Sequence, residues 1–244
     1  MIERNGTLEL SWLHLLEFSE VTDTRQVTAV ESFLDSVCPN HIGFIDVIPK
    51  GVIEKENRFL RREKNLADPH VDYELLKVFG AHRGRPLAPV SFQGFFSNQN
   101  PKMQEMCTTF MRNLEPVLKA SREKAKLPEF ARIVEKTPKG HPQVQHLTRY
   151  IDIEVARYFV KYPIKMHPNQ WRDLSHMIVP MAYSDFVLLD KTWASISNQV
   201  QGRLRKAGHR VKMARIFSWR TLKDFWDVFE STPRWPNLVE EFSV

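Results

Sequence analysis

The sequence predicts an α/β protein: a small, doubly wound parallel sheet sandwiched by helices, with a large helical insertion in its middle. Three observations predict it. Near the start, two short apolar runs flank two amphipathic helical patterns. Near the end, strand-like and helix-like segments alternate again. Between them, roughly residues 58–165, long helical stretches are separated by clusters of Gly and Pro. Strands that alternate with helices indicate a parallel sheet covered on both faces. The whole of 1–244 is read as one domain, long enough to bury a sizeable core.

Taken in order, TLELS (7–11) alternates like a strand and leads into the helical pattern WLHLLEFSEV. After a turn near Asp23, RQVTAVESFLDSV repeats apolar residues at Val27, Val30, Phe33, Leu34 and Val37, as an amphipathic helix does. IGFIDVIP reads as a buried strand ended by Pro49 and Gly51, completing β–α–α–β. In the middle, PKMQEMCTTFMRNLEPVLKASREKAK and QVQHLTRYIDIEVARYFVKY are helical; Pro86, Pro89, Pro128, Pro138 and Pro142 are read as breaks. The end offers helix NQWRDLSHMIVPMAY, strand DFVLLD, helix WASISNQVQGRLRKAG closed by Gly208, strand RVKMARIFS, and helix SWRTLKDFWDVFE with Ser218 as its N-cap. In that last helix Trp219, Phe225, Trp226 and Phe229 are spaced as a stripe facing a core or an interface.

Composition narrows the function classes. The opening MIERNGTLELSW lacks the basic-then-apolar order of a secretory signal. No apolar run approaches the ~20 residues a membrane helix needs. Cys38 and Cys107 stand apart without zinc or redox spacing, so two reduced thiols in a cytoplasmic protein are expected. No GxGxxG or GxxxxGK[ST] is present, which argues against a nucleotide-binding protein. The net charge is +6, and from Lys191 to Lys223 there are nine Lys or Arg and no Asp or Glu. A surface built from Arg203, Arg205, Lys206, Arg210 and Lys212 would attract phosphates; an ordinary solvated helix face is the competing account.

The stretch WRDLSHMIVPMAYSDFVLLDK (171–191) is mostly apolar yet holds Asp173, His176, Asp185 and Asp190. Carboxylates avoid interiors unless paired or bound to a cation. In parallel α/β sheets ligands gather at the carboxyl ends of the strands, where Asp190 falls. Asp173 and His176 share a helix face, and Glu17 follows strand TLELS. Carboxylates converging there would repel one another without a cation, and hard oxygen donors suit Mg²⁺ or Mn²⁺. Each acid has a plainer account as well. Glu17 suits a helix surface, Asp173 a helix-face pair with His176, and Asp190 the N-cap of a helix beginning near Thr192.

ELSWLHLLEFSEV, then WRDLSHMIVPMAYSDFVLLDK and RVKMARIFSWRTLKDF, resemble a PIN-domain ribonuclease over roughly 7–57 and 166–230. The resemblance implies a PIN-like, Rossmannoid fold and Mg²⁺- or Mn²⁺-dependent hydrolysis of RNA by water. It places the family's helical Glu on Glu17, its late helical Asp on Asp173 and its post-strand Asp on Asp190. Asp185, close by in sequence, is a candidate additional or substitute ligand, and His176 a candidate to orient a carboxylate or phosphate. RNA is the implied partner; a homo-oligomer or a toxin–antitoxin-like protein inhibitor is compatible, and no membrane is involved.

One departure shapes the expectation. The family's first strand ends in an Asp within a pattern such as LDTN, and nothing upstream of Thr7 supplies it. A chain lacking that element is expected to cleave weakly, to expose apolar surface around TLELS and IGFIDV, and to self-associate. The alternative function is a non-catalytic RNA-binding or oligomerisation module that keeps the fold.

Overall fold

The computed structural model describes residues 7–37, 42–60, 68–78, 92, 94, 96, 101–136, 147–162, 168–210 and 212–232. The described residues are mostly helical, with two separate two-stranded parallel sheets, compatible with an α/β fold but not the single doubly wound sheet expected from the sequence. The chain divides into two compact units: Met1–Ile45, Val71–Leu114 and Glu230–Val244 form the first, Asp46–His70 and Glu115–Phe229 the second. The segment 58–165 is thus shared between the two units.

In the first unit, β1 (Leu8–Leu10) leads through α1 (Trp12–Ser19) and α2 (Thr24–Val37) to β2 (Ile42–Phe44), the β–α–α–β order read from the sequence. Ser11 starts α1, its hydroxyl accepting the His14 N–H. β1 and β2 pair in parallel with Leu8 beside Ile42 and Leu10 beside Phe44. Leu10, Leu15, Val27, Leu34, Ile42 and Phe44 form the core, joined by Val71 and by Leu75 and Leu76 of α4 (Tyr73–Val78). Two acids one turn apart on α2 anchor a distant loop. Glu31, itself buried, accepts the N–H of Phe96 at 2.7 Å and of Gly94 at 3.1 Å, and Asp35 accepts that of Phe92. Phe92 and Phe96 are thereby set into the core, ring against ring at 6.1 Å.

In the second unit, α3 (Pro49–Leu60), α7 (Leu147–Lys161), α8 (Pro168–Tyr183) and α9 (Lys191–Lys206) pack around Ile151, Val155, Met177, Met181, Trp193, Val200 and Leu204. β3 (Phe186–Leu189), α9 and β4 (Arg215–Ser218) make a β–α–β unit; the strands pair in parallel with Leu189 beside Ser218. A 3-10 turn (Trp219–Thr221) and α10 (Leu222–Ser231) close it. The Ser218 N–H donates to Thr221 Oγ1 at 2.9 Å, a local bond that starts this turn.

Most elements read from the sequence are present among the described residues, and the breaks at Pro86, Pro89, Pro138 and Pro142 lie outside them. Helix α4 and a helix over Pro128–Lys136 were not foreseen, and three further differences stand out. IGFIDVIP contributes a strand only at Ile42–Phe44, and RVKMARIFS only at Arg215–Ser218. Two prolines counted as terminators or breaks are starts: Pro49 opens α3 and Pro128 opens α6 (Pro128–Lys136), as Pro101 opens α5 (Pro101–Ala125) and Pro168 opens α8. At the first helical position proline gives up a donor that has no partner there anyway. Third, the aromatic stripe of α10 is split. Phe229 is buried and Phe225 half-buried, both packed on Phe186, whereas Trp219 is 68% and Trp226 49% exposed.

Candidate functional site

The second unit holds two of the predicted acids against one residue. Asp190 leaves the carboxyl end of β3 and caps α9, its Oδ1 accepting the backbone N–H of Trp193 at 2.9 Å. Asp173, on α8, accepts the indole Nε1–H of the same Trp193 through Oδ2, a long hydrogen bond of 3.3 Å. Trp193 itself is buried in the core. The capping account of Asp190 is therefore correct, and the two acids bond to the same tryptophan, Asp190 at its backbone and Asp173 at its indole. His176, one turn further along α8, is half-buried.

The other predicted residues lie elsewhere. Asp185 precedes β3 and so stands at its amino end, about 16 Å from Asp190 along an extended chain. There it forms an ion pair with Lys212. The strand direction separates the two acids, and Asp185 does not join the Asp173–Asp190 group. Glu17 belongs to the first unit and sits about 8 Å along α1 from Trp12, in the second half of the helix rather than near its start.

The basic run is divided too. Arg203, Arg205 and Lys206 occupy the last turn of α9, where cations complement the helix dipole. They stand about 20 Å along the helix from Asp190. The Arg203 guanidinium lies 5.5 Å from the centroid of Tyr158. Arg210 and Lys212 are exposed and follow at the amino-terminal side of β4. Because α9 runs away from the carboxyl ends of the strands, these cations are displaced from the acids. Arg220 and Lys223, which follow the carboxyl end of β4, are both exposed.

A second polar group, absent from the sequence reading, lies inside this unit. The Tyr183 phenol donates to Glu56 Oε1 at 2.7 Å, and Glu56 is only 2% exposed. The His70 ring stacks on Tyr183 with centroids 4.3 Å apart. Burial pushes the Tyr183 hydroxyl up, and the bond to Glu56 adds to this. Burial also holds His70 below the usual imidazole value; Asp68 opposes the shift and Lys55 reinforces it. On α7, burial raises the Asp152 carboxyl to about 6 against a weaker pull from Lys124. No sequence motif marks these residues, since Glu56 and Tyr183 are joined only by packing of α3 against α8.

Among the described residues no group of three or more His, Cys, Asp or Glu is arranged to hold a metal ion. Asp173 and Asp190 carry hard oxygen donors of the type that Mg²⁺ or Mn²⁺ takes, two residues rather than a complete ligand set. No described helix is long and apolar enough to cross a membrane. Comparison with protein-family models, with curated proteins and with solved structures returned no significant match.

Proposed function

We propose that the second unit carries a metal-dependent ribonuclease site of PIN-like type, built on Asp173 and Asp190. One observation carries the reading: carboxylates from two elements, α8 and the carboxyl end of a parallel strand, meet on Trp193. That edge is where α/β sheets gather ligands. Asp173 and Asp190 would hold Mg²⁺ or Mn²⁺, which lowers the pKa of bound water and stabilises a leaving phosphodiester oxygen. The proposed site is confined to the carboxyl end of β3 in the second unit; Glu17 belongs to the first unit and Asp185 stands at the amino end of β3, so neither takes part in it. Arg220 and Lys223 supply positive charge on the same side as Asp190, suited to an RNA backbone.

A specific observation also favours a second reading, a non-catalytic RNA-binding module. Among the described residues no group of three acids is arranged to hold a metal ion, while exposed cations lie at both ends of β4. Incubation with single-stranded RNA and Mn²⁺ separates the two. Cleavage that disappears with a chelator and in Asp173→Ala supports the nuclease. Binding without cleavage supports the module, and a chain that neither binds nor cleaves RNA removes both.

A further inference from the structure

Trp219 is the most exposed of the large hydrophobic side chains described, at 68%. It immediately follows β4, as Asp190 immediately follows β3, and the strands are in parallel register with Leu189 beside Ser218. Asp190 and Trp219 therefore leave the same end of the sheet from adjacent strands, which run about 5 Å apart. The Arg220 guanidinium lies over the indole, 5.1 Å from its ring centroid. Arg220 and Lys223, which follow the same end of β4, are exposed, and no acid occurs between Lys191 and Lys223.

We infer that Trp219, backed by Arg220, is a stacking site for an unpaired base of single-stranded RNA, placed beside the Asp173–Asp190 group. The inference rests on the RNA reading above and deepens it by naming the form of nucleic acid and the residue that grips it. An indole held on one face by a guanidinium can stack its other face on a planar ring such as a nucleobase. Bases in a duplex are stacked on their neighbours and offer no such face, whereas an unpaired base does. The surrounding cations match the charge of a polynucleotide backbone. A base held here would fix the strand next to the acids without reading its sequence, because every base has a π-face.

The test uses the full chain, a chelator to prevent cleavage, and two labelled probes: single-stranded oligoadenylate of about 12 nucleotides and a blunt RNA duplex of equal length. Trp219→Ala should bind the single strand about 5- to 150-fold more weakly. Trp219→Phe should recover most of that loss, and duplex binding should not change. Because Trp219 is exposed, the melting temperature should stay near that of the parent chain. Single-strand affinity unchanged in Trp219→Ala overturns the stacking site while leaving the RNA reading intact. Equal weakening toward both probes overturns it in favour of a backbone contact. A parent chain that binds neither probe overturns both this inference and the RNA reading. A parent dimer that Trp219→Ala converts to monomer reassigns the indole to an interface between copies, which also overturns it.

Discussion

Trp193 and Asp173 are twenty residues apart, and the indole N–H of one donates to the carboxylate of the other. Since Trp193 also donates its backbone N–H to Asp190, a single core residue positions both acids. Trp193→Phe removes the indole donor and leaves the aromatic ring largely in place. It should destabilise the chain by about 2 kcal/mol, the usual scale for a hydrogen bond to a charged group plus a small packing loss. In a double-mutant cycle with Asp173→Ala, the two effects should fall short of additivity by about 1 kcal/mol. Strict additivity in urea unfolding would show that this long bond carries no energy.

Asp190 has a capping role and a proposed ligand role, and these separate by substitution. Asn caps helices about as well as Asp but carries no charge. Asp190→Asn should therefore change stability by only a few tenths of a kcal/mol, whereas Asp190→Ala should cost about 1 kcal/mol. Both should abolish Mn²⁺-dependent RNA cleavage. Cleavage that survives in Asp190→Asn would leave Asp190 a cap and nothing more.

Glu31 should matter to folding rather than to function. Its carboxylate accepts two backbone N–H groups from a loop more than sixty residues away. Glu31→Ala should cost about 3 kcal/mol, because buried donors lose a charged acceptor. Hydrogen exchange at Gly94 and Phe96 should accelerate well beyond that at α9. Uniform exchange changes across the chain would argue against a local anchor.

Two groups should shape the pH dependence of stability with opposite signs. His70 is held below its unfolded value near 6.5, so the unfolded chain binds more protons in the window below it. Its contribution is complete above pH ~6.5 and is lost as pH falls through the lower folded value. Asp152 is raised from 3.8 to about 6. Its contribution is complete below pH ~3.8 and is lost as pH rises toward 6. Asp152→Asn should therefore stabilise the chain at pH 7 by about 1–2 kcal/mol and have little effect near pH 3.5. His70→Gln should flatten the loss of stability on acidification from pH 7 to 5. Denaturant midpoints across this range check both.

The sequence by itself determined where most elements lie, because their causes are local. The apolar spacing of Val27, Val30 and Leu34 specifies the face of α2, and Asp190 before KTW specifies the start of α9. The same local reading misjudged Pro49 and Pro128, since a proline ends one element and opens the next with the same fixed φ. Only tertiary packing decided which partners the acids reach. Asp173 reaches Trp193 because α8 and α9 pack together, and Glu56 reaches Tyr183 across 127 residues. Strand direction put Asp185 and Asp190 at opposite ends of β3, although only four residues lie between them. It also put Trp219 beside Asp190, although they are far apart in sequence. Periodicity reports which face of an element is apolar, not which neighbour covers it. For that reason Trp219 and Phe229 look alike in the chain, and the fold exposes one and buries the other.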